Sequence, residues 1–197
     1  MIKCNVVGYV ANCNSAVGGV GNLYVADAND FEFTSGAADT DGSASGYASV
    51  ARRTGATTAG GAYFYEIKSV IDSLSVDVAQ SNTERTSSEY AYEIKAKVPT
   101  LSQKMTNFAK KMDAASVCCD LLFVWIGFNG EIMVAGEKFV DGSEIPPFRF
   151  YQDGSKFTTG VKFSAFNGGE LSFKSAYLRL PYEYTGARST IAAFVAP

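Results

Sequence analysis

The run from Val117 to Val140 constrains the fold of this chain more than any other stretch. Its first arm, Leu121-Leu122-Phe123-Val124-Trp125-Ile126-Gly127-Phe128, is apolar at nearly every position. Its second arm alternates, with Ile132 and Val134 on one face and Glu131, Met133, Ala135 and Glu137 on the other. Between them stands Asn129-Gly130, and both residues tolerate the positive φ that the central positions of a type I′ turn require. The spacing predicts a β-hairpin. A strand apolar on both sides needs cover on both faces, from its own domain or from another subunit, so this hairpin is expected in the middle of a sheet.

The flanking sequence supplies further strands. Tyr63, Tyr65, Ile67, Ser69 and Ile71 fall on one face of an alternating run, followed by Leu74, Val76 and Val78. The cleanest alternation of the chain is Tyr90, Tyr92, Ile94, Ala96 and Val98 against Glu89, Ala91, Glu93, Lys95 and Lys97, which describes a half-buried antiparallel strand with one hydrophilic face. Thr100-x-x-Gln103 reads as a capping box, and Leu101, Met105, Phe108, Ala109 and Met112 recur at helical spacing, so an amphipathic helix is expected from Leu101 to Ser116. Downstream, Phe148 to Tyr151 reads as an edge strand. A second hairpin is expected where Val161, Phe163 and Ala165 precede Asn167-Gly168-Gly169 and Leu171, Phe173, Ser175 and Tyr177 follow. A strand is also expected at Leu23 to Ala26, after a glycine cluster, Gly18-Gly19-Val20-Gly21, read as a turn.

These elements define a mainly β (α+β) fold, antiparallel sandwich or barrel-like sheets with one amphipathic helix packed on a sheet. The chain is read as one domain. An N-terminal arm and a Gly/Ala/Ser-rich flexible segment span 1–61, the sandwich core spans 62–180 with its helix near 100–116, and an apolar docking segment spans 181–197. Thr34 to Gly61 buries too little to offset its ordering entropy unless a partner covers it. Asp39-x-Asp41-Gly42-Ser43 lacks the remaining oxygen ligands of a calcium loop.

Composition excludes more chemistry than it suggests. No histidine occurs among the 197 residues, which removes the commonest general base and metal ligand together with Ser-His and Cys-His arrangements. Cys4, Cys13, Cys118 and Cys119 show no Cys-x-x-Cys spacing; Cys118 and Cys119 read as small buried hydrophobes on a strand, while Cys4 and Cys13 could pair across a short loop but are expected to stay reduced inside a cell. Net charge is −3 and no basic cluster exceeds a pair, which argues against wrapping a nucleic acid duplex. No apolar run is long enough for a membrane span, and Met1-Ile2-Lys3-Cys4-Asn5 does not open a secretory signal. Glu89 and Glu93 fit a solvated strand face better than a catalytic pair, and the many aromatics fall at packing positions. The chain is read as non-enzymatic, with no cofactor and no metal.

The order of elements, two long strands joined by a polar loop, a helix, a hairpin with the most apolar strand, and a final hairpin, resembles the tail-tube proteins of tailed bacteriophages and the inner-tube proteins of contractile injection systems. The likeness covers Ala62 to Leu180. It is carried by Tyr90-x-Tyr92-Glu93-Ile94 before the Pro99 to Ser116 helix, the Leu121 to Ala135 hairpin, and Val161-Lys162-Phe163-Ser164-Ala165. The resemblance implies a virion protein assembled in the host cytoplasm. Its subunits would close into a ring, a hexamer in that family, and rings would stack into a hollow tube through which DNA passes, in contact with other tail proteins. Glu89, Glu93, Lys95 and Lys97 would then line the lumen, and Asn82, Thr83, Glu84, Arg85 and Thr86 would reach a neighbouring subunit. A carbohydrate- or receptor-binding β-sandwich module is the alternative reading of the same strands.

Overall fold

Fourteen strands and two helices are present among the described residues. The structure is a computed structural model describing residues 19–38, 46–54, 62–70, 73–80, 89–99, 102–118, 120–146, 149–158, 167–177 and 179–196. In chain order the elements are β1 (Val20–Asp27), β2 (Phe31–Ser35), β3 (Tyr47–Arg52), β4 (Tyr65–Glu66), β5 (Ser75–Gln80), β6 (Tyr90–Pro99), α1 (Gln103–Cys118), β7 (Leu121–Gly127), β8 (Ile132–Ala135), β9 (Phe139–Val140), β10 (Ser143–Glu144), β11 (Tyr151–Gln152), β12 (Lys156–Thr158), β13 (Gly168–Tyr177), β14 (Tyr182–Glu183) and α2 (Arg188–Ala193).

They form three stacked layers. The middle sheet runs β14-β8-β7-β1-β4, one outer sheet runs β10-β9-β2-β3, and the other runs β11-β13-β6-β5, with β12 also paired to β13. The apolar strand β7 lies at the centre of the middle sheet, flanked by β1 and β8 in antiparallel register. Alternation sends its side chains to two cores. Leu121, Phe123 and Trp125 pack with Ile94, Leu171, Phe173, Phe150 and the α1 residues Met105 and Ala109. Leu122, Val124 and Ile126 pack with Phe31, Phe33, Tyr47, Phe64 and Ile191. Both faces of β7 are thus covered by the protein's own outer layers, and no neighbouring subunit is needed for that purpose. Each large apolar side chain fully buried here contributes about 1.5–3 kcal/mol.

The antiparallel sheets and the amphipathic helix follow the sequence expectation; several local details differ. In the central hairpin, Gly130 N donates to Gly127 O, Gly127 N donates to Glu131 O, and Gly130 alone of the turn residues has positive φ (86°). This is a three-residue loop with a left-handed glycine, not the expected two-residue type I′ turn. The extra residue, Phe128, lies over the start of β1, where a Cβ on Gly19 would sit 2.7 Å from its ring. Glycine is required there, and Gly21 lies within β1 instead of in a turn.

The run expected to place Tyr63, Tyr65 and Ile67 on one face is a crossing between layers. Phe64 is fully buried in one core, Tyr65 is 43% exposed, and Ile67 is buried in the other core. Only Tyr65 and Glu66 are strand, because the chain passes over the rim of the middle sheet from one side to the other. The second hairpin is also revised. Gly168 and Gly169 belong to β13, paired with Pro99 and Val98, while the expected arm at 161–166 lies outside the described residues. Gly169 seats α1, since a Cβ there would fall 2.4 Å from Met105 Cε.

The helix is shifted by two residues from its expected bounds. Its cap is Ser102, whose Oγ accepts from Met105 N at 3.2 Å; Gln103 bonds Asn107 instead of closing a capping box, and Thr100 lies outside the described residues. The stretch Thr34 to Gly61, expected to be flexible, contains β3, whose Tyr47 and Val50 are core residues. After β14 the chain buries Tyr184 and Ile191, with Phe194 set edge-on to Phe31. Cys4, Cys13 and Cys119 and the Asp39 to Ser43 loop lie outside the described residues. No described helix is long and apolar enough to cross a membrane.

Candidate functional surface

The hydrophilic face expected for the strand at 89–98 is the outward face of the sheet β11-β13-β6-β5. Tyr92, Ile94 and Ala96 are buried, whereas Glu93 and Lys95 are half-buried and Lys97 exposed on the opposite side. Glu89 is exposed just before β6. Register extends this face across the neighbouring strands, because residues directly opposite share a side. Glu93 faces Asp77 of β5 and Lys174 of β13, Lys95 faces Ser75 and Ser172, and Lys97 faces Glu170.

The charges are of mixed sign, with like neighbours where Glu93 lies opposite Asp77 and where Lys95 and Lys97 follow each other along β6. Lys95 Nζ lies 2.8 Å from Glu93, Lys174 Nζ lies 3.9 Å from Glu93 and 2.8 Å from Asp153, and the hydrogen bond from Lys174 to Asp153 raises the lysine's pKa. A hydrogen bond with Glu93 raises that of Lys95 in the same way. Exposed pairs of this kind contribute little to stability and keep the sheet face wetted. Asp77, Glu170, Lys174 and Asp153 were not singled out from the sequence. Alternation in Ser172, Lys174 and Ala176 was legible, but which strands adjoin is fixed by tertiary pairing. Asn82, Thr83, Glu84, Arg85 and Thr86 lie outside the described residues.

Glu137 and Asp120 are two of three buried carboxylates among the described residues that the sequence reading does not single out, the third being Asp30. Glu137 is 3% exposed and follows Gly136, whose φ of 95° turns the chain inward after β8. Its Oε1 accepts from Tyr47 Oη at 2.9 Å and pairs with Arg179 Nη1 at 3.3 Å, while Tyr92 Oη donates to the Arg179 carbonyl. Burial raises the Glu137 pKa against the opposing pull of Arg179 and of hydrogen bonds from Tyr47 and the backbone, and burial beside this carboxylate raises the Tyr47 pKa as well. Asp120 accepts from Arg149 Nε at 3.1 Å and pairs with Lys138 at 3.2 Å, and Lys138 also donates to Asn29.

Their chemistry is that of struts. The cleft nearest Glu137, lined by Ser35, Tyr47, Val140, Ile145, Arg179 and Tyr182, holds only about 100 Å3. Glu137 there links Tyr47 of β3 to Arg179, whose carbonyl in turn accepts from Tyr92 of β6, so its position is accounted for by tying the segment between β13 and β14 in place. Among the described residues no group of three or more His, Cys, Asp or Glu could hold a metal ion. No family model matches the chain, and no curated protein or solved structure matches it either.

Proposed function

We propose that the chain is a structural subunit that assembles with copies of itself into rings, stacked as a hollow tube for DNA passage as in a phage tail. The observation that carries this reading is the outward face of the β11-β13-β6-β5 sheet, a charged surface of mixed sign backed by an apolar core. A wall facing a water-filled bore needs such a surface, and near-balanced charge lets a polyanion pass without the retention that a basic lining would impose. The apolar β7 lends the reading no support, since its cover is internal. The second reading, a sugar- or receptor-binding module, is favoured by the half-exposed ring of Phe157 at a cleft of about 450 Å3 that Lys110, Asp113, Gln152 and Ser155 also line.

A thiol placed by Glu93→Cys tests which way the sheet faces. In the free subunit a maleimide carrying a polymer too bulky to enter the bore should label it fully. Along an assembled tube the same thiol should be protected except near the ends. Full labelling of intact tubes would put this face on the outside and remove the lumen assignment.

A further inference from the structure

We infer that copies of this chain join head to tail through the two ends of the five-stranded outer sheet, Phe157 of one copy entering a cleft beside β5 of the next while Lys156 faces Asp77. The inference rests on the self-assembly reading and names the surfaces that would meet. Among the described residues, β5 is paired on one side only, and its six residues carry no proline and no bulge and a single charge, Asp77, so little protects this edge from pairing. Directly inside this edge lies a cleft of about 330 Å3 lined by Leu74, Val76, Trp125 and Met133, with Asp77 and Glu131 also in its wall.

The opposite end of the same sheet carries the complement. β12 is paired with β13 so that Phe157 lies opposite Gly169 and Lys156 opposite Glu170. Gly169 points with Leu171 and Phe173 to the core-facing side, as the approach of Phe157 Cδ1 to within 2.9 Å of its missing Cβ requires. Phe157 therefore sits on the side from which Val76 and Trp125 line the cleft, and its ring is 46% exposed. Lys156 sits on the water-facing side with Asp77. Extending the sheet from β5 of one copy to β12 of the next matches an aromatic knob to an apolar hollow and a cation to an anion, each on its proper face.

None of Lys156, Asp77 and Glu131 belongs to an ion pair among the described residues, so these charges are available across an interface. Two different surfaces meeting head to tail make a heterologous contact. Such a contact closes into a ring when its rotation divides a full turn.

Charge reversal in the full-length chain, followed by light scattering over a concentration series at low salt, tests the pairing. Lys156→Asp and Asp77→Lys should each raise the concentration at which assemblies appear by roughly threefold to tenfold, and the double variant should recover the wild-type value. Phe157→Asp should abolish assembly while circular dichroism shows an intact fold. Single variants that assemble like wild type, or a double variant that stays impaired, would overturn this interface while wild-type assembly still upheld self-association. Wild-type chains that remain monomeric throughout would overturn both.

Discussion

Replacing Gly136 with alanine is expected to destabilise the protein by about 3–5 kcal/mol, an effect large enough to consume much of a typical domain's stability. Two causes add at this position. Its φ of 95° is a backbone conformation that L side chains rarely adopt, and a Cβ there would lie 2.2 Å from the carbonyl oxygen of Leu121. That oxygen belongs to the first residue of β7, which both cores hold in place, so it cannot retreat without disturbing the central strand. The melting temperature should fall by roughly 6–20 °C in a chain of this size. Gly130→Ala is the control: φ there is 86°, but no atom lies within 4 Å of the added Cβ. Its cost should be only the backbone penalty, about 1–2 kcal/mol. Equal effects at the two glycines would show that close approach to β7 does not govern Gly136.

The second large effect is expected at Glu137. Alanine in its place leaves the buried Tyr47 hydroxyl without its acceptor and Arg179 without its carboxylate, and opens a small cavity. The expected loss is about 2–4 kcal/mol. Glutamine should cost far less, because its amide oxygen still accepts from Tyr47 and Arg179 remains partly exposed to water. The two variants also separate the titration from the packing. Burial raises the Glu137 pKa above its ordinary 4.5, so the folded chain holds this proton more tightly than the unfolded chain. The resulting stabilisation is fully present below 4.5 and is lost as pH rises through the elevated folded value. Urea denaturation of wild type and Glu137→Gln across that window should show the wild-type advantage shrinking as pH rises. An advantage that grows with pH would mean that the ion pair with Arg179 outweighs burial.

How far the sequence discloses this fold depends on how local each feature is. The two-sided apolarity of Leu121 to Ile126 requires a central strand whatever covers it, and alternation in Tyr90 to Val98 fixes a core side and a water side without knowledge of its neighbours. The Met105, Phe108, Ala109 and Met112 stripe likewise implies a helix packed on a sheet. By contrast, β3 has buried residues at Tyr47 and Val50, three apart, and shows neither strand nor helix periodicity; it is held by pairing with β2. The crossing at Phe64 to Ile67 mimics alternation while its buried residues serve different cores. The Asn129-Gly130 signal locates a turn correctly but leaves open how many residues the loop contains, which the register of Ile126 with Ile132 decides. At the candidate surface, Glu93, Lys95 and Lys97 were legible from one strand, whereas Asp77, Glu170 and Lys174 join them only through tertiary pairing. Glu137 gave no local sign of burial because its partners stand 90 and 42 residues away, at Tyr47 and Arg179.

Self-assembly is the claim on which the functional account depends, and negative-stain electron microscopy of the purified full-length chain across a concentration series tests it most directly. The account predicts rings of uniform diameter that give way to hollow tubes as concentration rises. A folded chain that stays monomeric at every concentration, and that binds a glycan in solution, would contradict it and establish the binding module in its place.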